Sequence, residues 1–326
     1  MKKQLGFTIL EIFIALTIGL VLFAGVMSIF VGMKTTTKET SSYGELQENG
    51  RFALSVLTED LLRQDFWGDL TGTLDLAKLN GVPVAPGNDC NGGGVNNASF
   101  PAAVGRYRTI WGATATAQAN MGCIADAKIG SDILQLKRVI STPLESAPGI
   151  PIANAPSGKY YFVANQNEGE IFAGGGAVPD LDVSRVWEFQ HHVYYVREDT
   201  IGSNTVPVLM QGQLTTKMNF EPIIDGIERI KFMYGVDTNF NGVVNTFISA
   251  NNMTQNLWDG FNNARILAVK VYVLARNVQP DPKYTDTKTY QMGDELVPAF
   301  NDNYRRLLFT SVVSLHNAGI EEWPKT

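Results

Sequence analysis

Four groups of residues in this chain have types and spacings that suit chemistry. Asp237-Thr238-Asn239-Phe240-Asn241-Gly242 follows the first half of a D-x-[DN]-x-[DN]-G calcium loop. Asp237, Asn239 and Asn241 would supply side-chain oxygens, Val243 a backbone carbonyl and Asn245 a water-mediated contact, an oxygen set of the kind calcium takes. The closing bidentate glutamate is missing, with Ile248 in its place, so an Asx-turn hairpin is the competing reading. The two cysteines, Cys90 and Cys123, lack the paired spacing of a zinc site. Outside the cytoplasm they are expected to form a disulfide. The histidines are His191, His192 and His316. Adjacent strand residues point to opposite faces, so His191 and His192 cannot act together, and exposed or core-edge places are expected for them. Gly174-Gly175-Gly176 does not follow a strand with phosphate-binding spacing. Nothing among these residues points to an enzyme.

The fourth group is at the front: Gly6, Phe7 and Glu11, behind the basic leader Met1-Lys2-Lys3-Gln4-Leu5. From Phe7 to Met33 the only charge is Glu11. A helix of that length would be roughly 40 Å long, enough for a bilayer core of about 30 Å. Lys2 and Lys3 would stay in the cytoplasm and the remainder would lie outside. A secretory signal would be cut before Gly25, but Leu22 is too large for that site. An uncut anchor leaves the glycine junction and the acid as accidents. Cleavage between Gly6 and Phe7 accounts for both: it would create a cation at Phe7, and Glu11 of an adjacent staggered helix would neutralise it. Such a pair sets register more than strength, because losing one partner strands the other charge. Ala24, Ser28 and Gly32 recur every fourth residue and suit close helix packing.

The elements behind these residues follow from periodicity. Leu46, Gly50, Ala53, Leu54, Leu57 and Leu61 recur at helical steps, so residues 34–67 are expected to continue the helix amphipathically to a stop at Gly68. Residues 68–130 show little periodicity and read as a loop-rich, disulfide-tied insertion, including the Ala-Thr run at 113–117. Strands are expected at 133–139, 160–164, 187–196, 206–211, 230–234, 266–275 and 306–315. Leu267, Val269, Val271, Val273 and Ala275 alternate as a half-buried strand requires. One long helix before a run of strands gives an α+β class, with a largely antiparallel sheet in a head spanning 68–326. The net charge is −6, and loss of the two leader lysines makes it −8. An acidic head without a basic stripe argues against nucleic acid as a partner.

Leu5-Gly6-Phe7-Thr8-Ile9-Leu10-Glu11 resembles the type IV pilin signature. The resemblance implies a pilin-like fold, cleavage and N-methylation at Phe7 by a prepilin peptidase, and pairing of Glu11 with a neighbour's terminal amine. Further stretches are similar to the PilW family of minor pilins: Leu46-Gln47-Glu48-Asn49-Gly50-Arg51-Phe52-Ala53, Val193-Tyr194-Tyr195-Val196-Arg197, Gly226-Ile227-Glu228 with Tyr234-Gly235-Val236-Asp237, and Tyr304-Arg305-Arg306-Leu307 with Phe309. This likeness implies a subunit that primes pilus assembly at or near the tip. It also implies partners: other minor pilins, the major pilin, a tip-associated adhesin and the lipid of the inner membrane. A type II secretion pseudopilin of the GspJ class is the alternative, and a membrane-anchored periplasmic binding protein is a third.

Overall fold

The computed structural model describes residues 7–202, 204–261 and 264–317. The expected leader, Gly6 included, lies outside them. Helix α1 (Ile9–Leu62) begins two residues after the Gly6-Phe7 junction and contains no proline that would break its hydrogen-bond ladder. Its early part, residues 9–33, exposes every side chain and is apolar and long enough, by length and composition, to cross a membrane.

The last turns of α1 belong to the head. Leu46, Ala53, Leu57 and Leu61 are all buried, at the helical spacing expected. Gly50 allows a close approach, since a Cβ there would stand 2.1 Å from the Phe309 ring. The helix stops at Leu62, five residues before Trp67. Arg63 and Gln64 close it with turn bonds to the Asp60 and Leu61 carbonyls, and Asp65 takes a left-handed φ of 59°. Trp67 leaves the helix for a separate core, its Nε1 donating to Asp65 Oδ1 at 3.0 Å. Gly68 still makes a turn, with φ of 63° and the Trp187 ring 2.7 Å from where a Cβ would stand.

The strands of the first half are β1 (Leu79–Gly81), β2 (Ile110–Thr114), β3 (Asp132–Val139), the small hairpin β4 (Glu145–Ala147) and β5 (Ile150–Pro151), then β6 (Tyr160–Ala164), β7 (Gly169–Ala173), β8 (Arg185–Ile201), β9 (Asn204–Leu214) and β10 (Met218–Asp225). Apart from the hairpin they form an eight-stranded sheet in the order β1-β7-β6-β8-β3-β2, with β9 and β10 attached to β8. Every pairing is antiparallel except β1 with β7. The rest comprises β11 (Ile227–Asp237), β12 (Thr246–Ser249), the short helix α2 (Gln255–Trp258), β13 (Arg265–Arg276), the hairpin β14 (Tyr290–Met292) and β15 (Glu295–Val297), and β16 (Arg306–Ser314). These give an antiparallel sheet β12-β11-β13-β16. The class is α+β with a largely antiparallel head, as the order of elements requires.

Two cores use opposite faces of the large sheet. Leu134 and Leu136 of β3 and Tyr194 and Val196 of β8 join Leu57 and Leu61 of α1 and Val269, Val271 and Val273 of β13. Ile133, Val139, Val193 and Tyr195 face the other way, onto Trp67, Leu70, Leu74, Phe100 and Tyr107. Residues 68–130 therefore cover a core, and their Ala113 and Thr114, expected in a loop, pair in β2 with Ile133 and Asp132.

Candidate functional site

At its first turn α1 carries a capping box. Thr8 precedes the first helical residue, and its Oγ1 accepts from Glu11 N at 3.3 Å. Glu11 Oε2 in return accepts from Thr8 N and Thr8 Oγ1, each at 2.9 Å. Reciprocal bonds of this kind satisfy N–H groups that a helix start leaves unpaired, and place an acid where the helix dipole favours one. The T-x-x-E spacing from Thr8 to Glu11 is the local signal for this box. A carboxylate has about four acceptor positions, so two bonds on Oε2 leave Glu11 able to receive an amine. Phe7 is 85 % exposed at the start of this apolar surface.

His191 and His192 correct the expectation of surface or core-edge places, which His316, exposed, meets. They do point to opposite faces, but His191 is fully buried and His192 nearly so. His191 Nδ1 lies 2.8 Å from Ser99 Oγ, and Nε2 lies 2.8 Å from Gln135 Nε2. Gln135 Nε2 can only donate, so Nε2 of the ring accepts and Nδ1–H donates to Ser99. Burial pushes the His191 imidazole well below its ordinary range, consistent with that neutral form. On the other face His192 Nδ1 is 2.7 Å from Asp60 Oδ2, which also accepts from Tyr194 OH at 2.8 Å; Asp60 Oδ1 accepts from Arg138 Nε at 2.8 Å. Asp60 sits in the last turn of α1, where the dipole disfavours an acid. Burial also opposes its ionisation, yet His192, Arg138 and Tyr194 outweigh both and hold the carboxyl well below the usual range.

Cys90 and Cys123 form a disulfide with Cα atoms 5.0 Å apart. Beneath it, polar side chains of β3 that ordinary alternation would turn to water are enclosed: Gln135 donates to the carbonyls of Cys90 and Asn97, and Lys137 to Asn97 Oδ1.

The Asp237 loop satisfies its own oxygens. Asp237 Oδ1 accepts from Asn239 N at 3.1 Å and Asn241 N at 3.4 Å, and Oδ2 from Gly242 N at 2.8 Å. Asn241 Oδ1 takes Val243 N, and Asn245 Oδ1 takes Thr238 N, both closing the loop on itself. These are the bonds of an Asx turn. Calcium needs six to eight oxygens, usually with several charges, and one carboxylate engaged by three N–H groups does not fit it. Among the described residues no cluster of three or more His, Cys, Asp or Glu side chains is placed to hold a metal. The arginine of Arg265 stacks 3.7 Å over the Phe240 ring, fixing the loop tip.

Separated motifs meet in a buried ionic cluster. Glu228 Oε2 lies 3.2 Å from both Arg276 Nε and the Arg306 guanidinium, and Oε1 pairs with Lys128. Burial pushes the Glu228 carboxyl up, but Lys128, Arg276 and Arg306 together hold it below its usual value. Arg306 also reaches Asp286 at 3.1 Å and Asp302 at 2.6 Å. The Gly226-Ile227-Glu228 and Tyr304-Arg305-Arg306-Leu307 stretches, far apart in sequence, are thus one feature of the fold. No curated protein and no solved structure matches the chain. Residues 193–317, from the middle of β8 to just past β16, match the model of a family described as PilW, Type IV Pilus-assembly protein W.

Proposed function

We propose that this chain is a minor pilin that primes type IV pilus assembly and occupies a place at or near the pilus tip. The observation that carries the reading is the unbroken helix α1: apolar and exposed over residues 9–33, then amphipathic with one face buried in the head from Leu46 onward. A rod that is oily at one end and half-buried at the other suits a subunit held first in a membrane and then in a bundle of like helices. Prepilin peptidase removes residues 1–6, and the new amine at Phe7 pairs with Glu11 of a neighbour. Thr8 holds the Glu11 carboxylate until that amine arrives. The head lies in the periplasm before assembly and on the cell surface afterwards. Its partners are the other minor pilins, the major pilin and a tip-associated adhesin.

Mass spectrometry of the native amino terminus tests the processing step. A chain beginning at methylated Phe7 supports it; one beginning at Gly25, or retaining residues 1–6, removes the pilin reading. Glu11→Ala should still be cleaved but should enter pili poorly, and normal incorporation would contradict the pairing. Deletion should abolish twitching while sparing secretion; the reverse result would assign the chain to a type II secretion system.

A further inference from the structure

We propose that Lys137 and Asn97 become joined by an intramolecular isopeptide bond, with ammonia as the second product. Both residues are fully buried. Lys137 Nζ lies 2.9 Å from Asn97 Oδ1 and 2.9 Å from the Arg108 carbonyl oxygen. Asn97 is fixed from its other end, where Nδ2 donates to the Gly93 carbonyl at 3.0 Å. The amine and the carboxamide are thus held in contact, the condition under which intramolecular reaction gains most from proximity.

The surroundings favour the reactive forms. No carboxylate pairs directly with Lys137 among the described residues; its other neighbour is the Tyr107 ring, 4.8 Å from Nζ. Burial pulls the Lys137 amine well below its ordinary range, and the charge of Asp89 only partly offsets this. A neutral amine carries the lone pair that a nucleophile needs. Asp89 is nonetheless the acid whose charge reaches Nζ, and it favours the positive charge that builds on nitrogen during attack. It is held by Ser99, whose Oγ donates to Asp89 Oδ1 at 2.6 Å and receives His191 Nδ1 at 2.8 Å. Gln135 continues that chain from His191 to the Asn97 backbone carbonyl at 3.1 Å.

The step balances without a co-reactant. The Nζ lone pair forms a bond to Asn97 Cγ, and the Cγ–Nδ2 bond breaks. One hydrogen from Nζ leaves with the Nδ2 amino group as ammonia, and no atom is oxidised or reduced. Burial keeps water from competing for Cγ. The product ties β3 to the segment that also carries Cys90, a second covalent clasp over the same core.

Peptide mapping of the full-length protein purified from membranes, with its disulfide reduced, decides the matter. Trypsin should release fragment 79–106 joined to fragment 129–138, uncut at Lys137 and lighter than the sum by one ammonia. Lys137→Met and Asn97→Ala should each abolish the joined species. Separate wild-type fragments, with Asn97 intact or merely converted to aspartate, would overturn the proposal whether or not the variants fold.

Discussion

Asp60→Asn should cost this head a large share of its stability. The carboxylate, 4 % exposed, takes one bond from each of Arg138, His192 and Tyr194. Asparagine keeps the volume but offers one oxygen and an amino group that can only donate. At least one of those donors would then face another donor. Arg138, itself buried, would lose its ion-pair partner Asp60. Breaking a buried pair by removing one partner costs about 3–5 kcal/mol, and relief of an acid near the helix C-terminus returns only about 0.3–1 kcal/mol. The expected loss is therefore about 3 kcal/mol. Urea unfolding of the detergent-solubilised full-length chain, followed by fluorescence of the buried Trp67, Trp111, Trp187 and Trp258, reads it directly. Glu59→Gln, one residue away in an exposed pair with Arg63 at 3.7 Å, is the control and should cost about 0.5 kcal/mol or less. The double variant Asp60→Asn/Arg138→Met should lose less than the sum of the singles. Because the folded carboxyl ionises more readily than the unfolded one, its contribution is complete above about pH 4 and is lost as pH falls below that. A cost within about 1 kcal/mol of wild type, or strictly additive singles, would refute the reasoning.

Asp132 should act in the opposite sense. Burial, opposed by bonds from Thr114 and Phe232 N, pushes its carboxyl up to about 6. Stability should fall as pH rises from about 4 to about 6, by up to about 3 kcal/mol, because the unfolded chain gives up that proton first. Asp132→Asn, which can accept from Phe232 N and donate to Thr114, should flatten this window in melting curves taken across it. Cys90→Ser opens a loop with a sequence separation of 33 and should lower stability by about 3–4 kcal/mol in the chain-entropy picture; reduction of the wild type should reproduce the loss. Melting with calcium and with a chelator should coincide, since Asp237 already serves three backbone N–H groups; a rise with calcium would reinstate the metal site.

Periodicity made the helix and the strands with apolar alternation legible, because one face of each meets a core. Leu57 and Val271 are apolar for a reason that any window of sequence displays. Gln135, Lys137 and Arg138 are different. Their places on β3 are buried on both faces, which only the fold of residues 68–130 and the arrival of α1 determine. No local signal tells a polar residue that meets water from one that meets another buried polar group. The same limit hid His191 and His192, whose partners Ser99 and Asp60 are 92 and 132 residues away. Thr8 was readable, since its partner Glu11 is three residues on. The helix ends at Leu62, short of the expected Trp67, because Trp67, as apolar as a helix face requires, packs instead against Phe162 and Phe189 of the second core.

Residues 68–130 wrap that second core and carry the disulfide between Cys90 and Cys123. On the export proposed above, a new chain that has not met an oxidant holds the wrap without that disulfide. During that interval its glycine- and asparagine-rich turns are the natural entry point for proteases outside the cytoplasm. On that reading, oxidant supply governs how long the young head survives. A cell deprived of it would run short of this subunit before any cysteine-free one.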